Sequence, residues 1–300
     1  MARDRYFITF PQQCDNNPNT YKRVINDYWK LLTADSAREI VFECGDVRFI
    51  RPFGVNVLAL LLRSFLQQGG RTIFFVQPTS QRCNKYLEDQ GFYKEFHIQD
   101  SDRTIEASTR STSVGLRRMV KFEPLYFDTI AMWLNRFLSL PEESIKDAVN
   151  IPLSEIILNV VDHSKSSLGC YISAQAYPKE DRLVFSVADL GVGFLRTLRP
   201  HYPDLHTNEA AIALAVQSGV SSKSRGSNVG AGLSILCGFL KQRGNLEIIS
   251  LDGVWHQDTA GNSLSRTIPF CFPGSCINIE FDNQKIADLM WQEDDDEIGR

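Results

Sequence analysis

Glu155 and Asn159 stand four residues apart in the run Glu155-Ile-Ile-Leu-Asn159-Val-Val-Asp162-His163-Ser164. On a helix that spacing puts a carboxylate and a carboxamide on one face, one turn apart. The intervening Ile156, Ile157, Leu158, with Val160 and Val161, supply a packed side. The carboxylate can orient a water or hydroxyl and take its proton. The amide oxygen can ligate magnesium, which prefers a few protein oxygens with phosphate oxygens and retained waters. Asp162 and His163 fall where at least one of them comes near that face. The plain alternative is an amphipathic helix with polar residues turned to water.

Two glycine-bearing segments follow. Leu183-Val-Phe-Ser-Val187 reads as a strand and turns through Asp189-Leu-Gly191-Val-Gly193. A carboxylate buried at a strand end can accept a hydrogen bond from the exocyclic amine of adenine. Gly191 and Gly193 allow close backbone approach and unusual dihedral angles. Further on, Ser221-Ser-Lys223-Ser-Arg225-Gly-Ser-Asn-Val-Gly230-Ala-Gly232-Leu233 is a polar, glycine-rich loop running into an apolar helix. Free amides at a helix N-terminus suit phosphate oxygens, and Lys223 and Arg225 would add charge. There is no Gly-Lys-Ser/Thr phosphate loop, and no first strand opens a Gly-x-Gly-x-x-Gly fingerprint.

In this order the three segments resemble the ATP-binding site of the GHKL superfamily, over roughly residues 120–285. The resemblance implies ATP and Mg2+ as cofactors, Glu155 as catalytic base and Asn159 as the magnesium ligand. It implies nucleotide contacts from Asn159, Asp162, Asp189, Gly191, Gly193, Lys223, Arg225, Gly230, Gly232 and Leu233, and an ATP lid over residues 195–229. Pro273-Gly274-Ser275 is similar to the family's late Gly-Thr element, with Ser275 keeping a hydroxyl that would reach adenine through water. His201 and His206 fall in the lid and read as solvated residues.

The elements that must position these residues come in two sets. Residues 5–10, 39–43 and 71–76 read as strands, and 18–34, 53–68 and 79–89 as helices, the last ended by Gly91. Strands alternating with helices imply a sheet with helices packed on it. The segment Val47-Arg-Phe-Ile-Arg51-Pro52-Phe53-Gly54, with the helix and strand after it, resembles a STAS domain, the fold of anti-sigma factor antagonists. Where phosphorylatable members carry Asp-Ser-Ser-Gly, this chain has Arg51, Pro52, Phe53 and Gly54. The acceptor serine is missing, which leaves a binding or dimerising role. After a polar stretch at 99–113, helices are expected at 124–139, 141–164, 208–218 and 230–242. Strands are expected at 168–177, 182–188, 245–250, 265–272 and 276–282.

The expected fold class is α/β (α+β). Residues 1–105 form a STAS-like sheet with helices on it, 106–122 a linker, 123–285 a two-layer α/β sandwich of the GHKL type and 286–300 an acidic tail. Net charge of −4 gives no global field for nucleic acid. Seven scattered cysteines show neither zinc spacing nor a disulfide framework, which points to a reducing, cytoplasmic setting. The start lacks the apolar run of a signal peptide, and the most apolar stretch, 55–62, is too short to cross a bilayer, which takes ~20 residues.

The function expected from these pieces is an ATP-binding regulatory protein. It would be a serine/threonine protein kinase of the anti-sigma factor type, with a STAS-domain or other regulatory protein as partner and room for a homodimer. An ATPase conformational switch and a non-catalytic ATP-sensing module are the alternatives. No histidine lies between Pro124 and Asn150, where a histidine kinase would need its phosphoacceptor helix.

Overall fold

The computed structural model describes residues 5–34, 38–98, 112–138, 140–217 and 231–288. The chain is mixed α/β. Its N-terminal unit runs β1 (Arg5–Thr9), β2 (Gln13–Cys14), α1 (Lys22–Leu32), β3 (Glu39–Glu43), β4 (Phe49–Ile50), α2 (Pro52–Gln68), β5 (Thr72–Val76), α3 (Gln81–Asp89) and α4 (Phe92–Glu95). Strands β1, β3 and β5 form a parallel sheet in that order, and β2 pairs with β4. The helix starts follow local chemistry. Asn17 caps the turn that leads into α1, Pro52 occupies the first position of α2, and Ser80 accepts from the Cys83 amide to cap α3.

The C-terminal unit runs β6 (Ser113–Met119), α5 (Pro124–Phe137), α6 (Glu142–Ile145), a π turn (Lys146–Asn150), α7 (Ile151–His163), β7 (Cys170–Tyr177), β8 (Arg182–Asp189), α8 (Gly193–Leu198), α9 (Asn208–Ala215), α10 (Gly232–Leu240), β9 (Gly244–Ser250), β10 (Gly253–Gln257), β11 (Ser263–Thr267) and β12 (Ser275–Asp282). Its seven strands are antiparallel throughout, in the order β11-β10-β9-β12-β8-β7-β6. The π turn has a cause in Pro152: without an N–H, and with a ring that crowds the carbonyl four residues back, proline disrupts the regular ladder just before α7.

Both faces of this sheet are covered. On one, Leu134 of α5, Ile157 of α7 and Leu240 of α10 pack over Ile172, Phe185, Ile248 and Ile279. On the other lies α2. Thirteen of its seventeen residues are buried, which marks a helix enclosed on all sides. One apolar cluster joins Phe53, Leu58 and Phe65 to Tyr171, Ala188, Ile249 and Phe272. Each such large side chain, fully buried, contributes about 1.5–3 kcal/mol. Asn56, fully buried, pins the contact: its Nδ2 donates to the Ser186 carbonyl at 3.0 Å, and the Ser173 hydroxyl donates to its Oδ1 at 2.9 Å.

Three expectations change. Residues 106–122 were expected as linker, yet 113–119 form β6, an edge strand held because Val114, Leu116 and Met119 are buried. The strand expected at 265–272 ends at Thr267, and an unexpected β10 pairs with it as a hairpin. Ile286, expected to begin the acidic tail, is instead buried in the helix-side core. Among the described residues no helix is long and apolar enough to cross a membrane.

Candidate functional site

Four segments distant in sequence meet at one end of the antiparallel sheet. On α7, Glu155 and Asn159 are both half-buried, and Asp162, further along, is exposed. The start of α10 rests directly on Glu155. A Cβ at Gly232 would stand 2.9 Å from Glu155 Oε2 and 3.0 Å from the Pro152 carbonyl, so the approach depends on a missing side chain. Leu233, next to it, packs against the helix-side core.

Asp189 ends β8 and is 3% exposed. Burial pushes its carboxyl up to about 7, with the Gly191 amide pulling part of the way back. Its Oδ1 has no hydrogen-bond partner among the described residues. Gly191 is pressed between the Ser164 carbonyl and the Asp189 carboxylate, where no Cβ fits. The Val192 amide donates to the Ser164 carbonyl at 2.9 Å, tying this turn to the end of α7. Gly193 is buried and opens α8 with φ at +79°.

Ser275 begins β12 and is paired across the sheet with Asp189 on one side and Ser250 on the other. Its hydroxyl donates to Ser250 Oγ at 3.3 Å, and that oxygen also accepts from the Phe194 amide at 3.0 Å. Ser250 thus joins the candidate site, and the sequence reading missed it. Its signal is slight: a serine ending a strand, opposite another serine.

Beside these groups opens a cleft of about 750 Å3, lined by Lys165, Gly191, Leu195, Arg196, Arg199 and Asn208 among others. Of the predicted site residues within the described chain, only Gly191 lines it. Glu155, Asn159, Asp162, Asp189, Gly193, Gly232, Leu233 and Ser275 do not. Lys165, Arg196 and Arg199 give the cleft a cationic wall that sequence motifs did not single out. The front of the expected lid holds two helices, of which the second lies where the sequence reading put one, at 208–218. Residues 193–198 and 208–215 are α8 and α9, and Ala211 and Ile212 of α9 are fully buried. His201 and His206 are exposed. Lys223, Arg225 and Gly230 lie outside the described residues.

The start of α2 is interior. Arg51 donates to Glu280 Oε2 at 3.1 Å, the Pro52 carbonyl accepts from the Ser173 hydroxyl at 3.1 Å, and Phe53 packs edge-on against Tyr21. The start of α2, where STAS members carry the acceptor serine, is packed within this chain. No protein-family model matches the sequence, and no curated protein is significantly similar to it.

Proposed function

We propose that this chain is an ATP-binding regulatory protein of the GHKL type. In this reading it transfers the γ-phosphoryl group to a serine or threonine of a protein partner, and its N-terminal unit is STAS-like. One observation carries the reading. A buried aspartate with an unpartnered oxygen sits at the end of β8, beside a serine on β12. The turn that follows it is tied to the helix bearing Glu155 and Asn159.

The residues fit the nucleotide. Asp189 offers adenine an acceptor already stripped of water, so a ligand amine repays a cost the folded chain has borne. Ser275 stands next to it with a hydroxyl. Asn159 would hold Mg2+ through its amide oxygen, and the ion would neutralise phosphate charge. Lys165, Arg196 and Arg199 supply a cationic wall for phosphate oxygens. Glu155, half-buried and fixed by the close approach of Gly232, takes the proton from the incoming hydroxyl. Positioning and electrostatics carry most of phosphoryl transfer, so one base and one metal ligand are enough.

A second reading, an ATPase switch, draws support from α2. That helix packs on β7 and β8, so a change at the Asp189 end of β8 has a packed route into the N-terminal unit. Calorimetry with Mg·ATP tests the binding step, and silence there ends the proposal. Labelled ATP, with and without STAS-domain proteins, then separates phosphoprotein from free phosphate. Glu155→Ala should abolish either product while ATP still binds.

A further inference from the structure

On the sheet face turned away from α7 and α10, a second cavity of about 420 Å3 opens between the sheet and the 15–19 loop that leads into α1. Its floor is one cross-strand row: Asn278 of β12, Glu247 of β9 and His256 of β10 are direct register partners. Residues opposite one another on neighbouring strands hold their Cβ atoms about 5 Å apart, so the three side chains can converge on one small molecule.

Each of the first two presents an unused group. Asn278 is 4% exposed, and its Oδ1 accepts from the Ser186 hydroxyl at 2.7 Å, which turns the amide nitrogen away from that bond. That nitrogen is buried with no partner among the described residues, and so is Glu247 Oε1 beside it. The other acid of the cavity is already used: Glu280 is held by both Arg51 and Arg182. Arg266, also lining the cavity, draws the Glu247 carboxyl down by its charge, against the larger rise from burial. Leaving an isolated donor and acceptor buried costs free energy, which a ligand pairing with both would recover.

We infer that this cavity is a binding site, separate from the nucleotide site, for a small planar ligand whose edge reads carbonyl, N–H, carbonyl. That is the hydrogen-bonding edge of a uracil- or xanthine-type base. Glu247 accepts from the central N–H. Asn278 donates to one flanking carbonyl, and His256 or Arg266 to the other. With Glu247 ionised, which its burial confines to pH above about 7, a donor–acceptor–donor row is the complement of that edge, whereas cytosine, with an acceptor where the N–H should be, meets the carboxylate with a like group.

The test is a titration of full-length protein with uridine at about pH 8, where Glu247 is ionised, followed by calorimetry or chemical-shift changes, in both native chain and the Asp189→Asn variant. The second background removes the acceptor assigned to adenine, so failure of one site is distinguishable from failure of the other. Uridine should bind in both backgrounds, and 3-methyluridine and cytidine at least tenfold more weakly. Glu247→Gln, which keeps shape but replaces an acceptor oxygen with a donor, should weaken uridine at least tenfold, and Asn278→Asp should do likewise. No binding of uridine at millimolar concentration, equal binding of 3-methyluridine, or an unchanged affinity in Glu247→Gln would each overturn the assignment.

Discussion

Replacing Asp189 with asparagine should make the protein more stable above about pH 7 and less able to bind ATP, and the gain should depend on pH in a calculable way. The folded chain holds the Asp189 proton up to about pH 7, whereas the unfolded chain releases it near 3.8. The raised value means that this group's contribution is fully present below about 3.8 and is lost as pH climbs to about 7. The full loss amounts to about 4 kcal/mol by linkage, an order-of-magnitude figure for a wholly buried group. Of that, about 2 kcal/mol falls between pH 5.5 and pH 8. Asparagine carries no such charge, so the variant should gain on the native protein by that amount over this interval. The new amide hydrogens lack a partner where Oδ1 now stands, which subtracts about 1–3 kcal/mol at every pH and leaves the slope untouched. Glu247, pushed up to about 7 mainly by its own burial, titrates in both proteins and cancels from the difference. Urea unfolding of both proteins at the two pH values measures the quantity. Calorimetry with Mg·ATP should show affinity lower by about 100-fold, since an acceptor facing an amine has become a donor. A stability difference that is flat with pH would refute the buried-carboxylate reasoning. Unchanged ATP affinity would remove Asp189 from the site.

Other consequences are open to direct measurement. Gly232→Ala places a methyl 2.9 Å from Glu155 Oε2, and should cost about 1–3 kcal/mol of stability together with most of the turnover; full activity in a stable Ala variant would show that α10 does not fix Glu155. Asn56→Leu takes the side-chain donor from the Ser186 carbonyl in the buried seam, while the Ser173 hydroxyl keeps the Pro52 carbonyl, and a loss of about 1–3 kcal/mol should appear as a lower urea midpoint. Because α2 is shared between both units, thermal unfolding should be one transition by circular dichroism and by tryptophan fluorescence; two separated transitions would mean the seam is weak. Arg196→Ala with Arg199→Ala should reduce ATP affinity and flatten its salt dependence, read by titration at two ionic strengths.

Much of the local structure was legible in the chain, because helix and strand periodicity and capping are local properties. The strand at 39–43, the helix after Pro52 and the strand at the Asp189 turn lie where apolar spacing and turn residues put them. So do Glu155 and Asn159 on one helix, since four-residue spacing is enough to align them. Two clues were present but read too narrowly. The stretch 55–62, apolar on every side, signals a helix buried between layers, and the unbroken apolar runs of β7 and β8 signal a sheet covered on both faces.

What the chain alone did not determine is which distant segments touch. Gly232 against Glu155, Ser275 beside Asp189 and Asn278 beside Glu247 are set by strand order and by helices crossing the sheet, and such contacts leave no periodic trace in sequence. The same holds for α2. Its apolar run shows that it is buried, and only the competition for apolar surface in the folded chain decides that it packs on the second sheet.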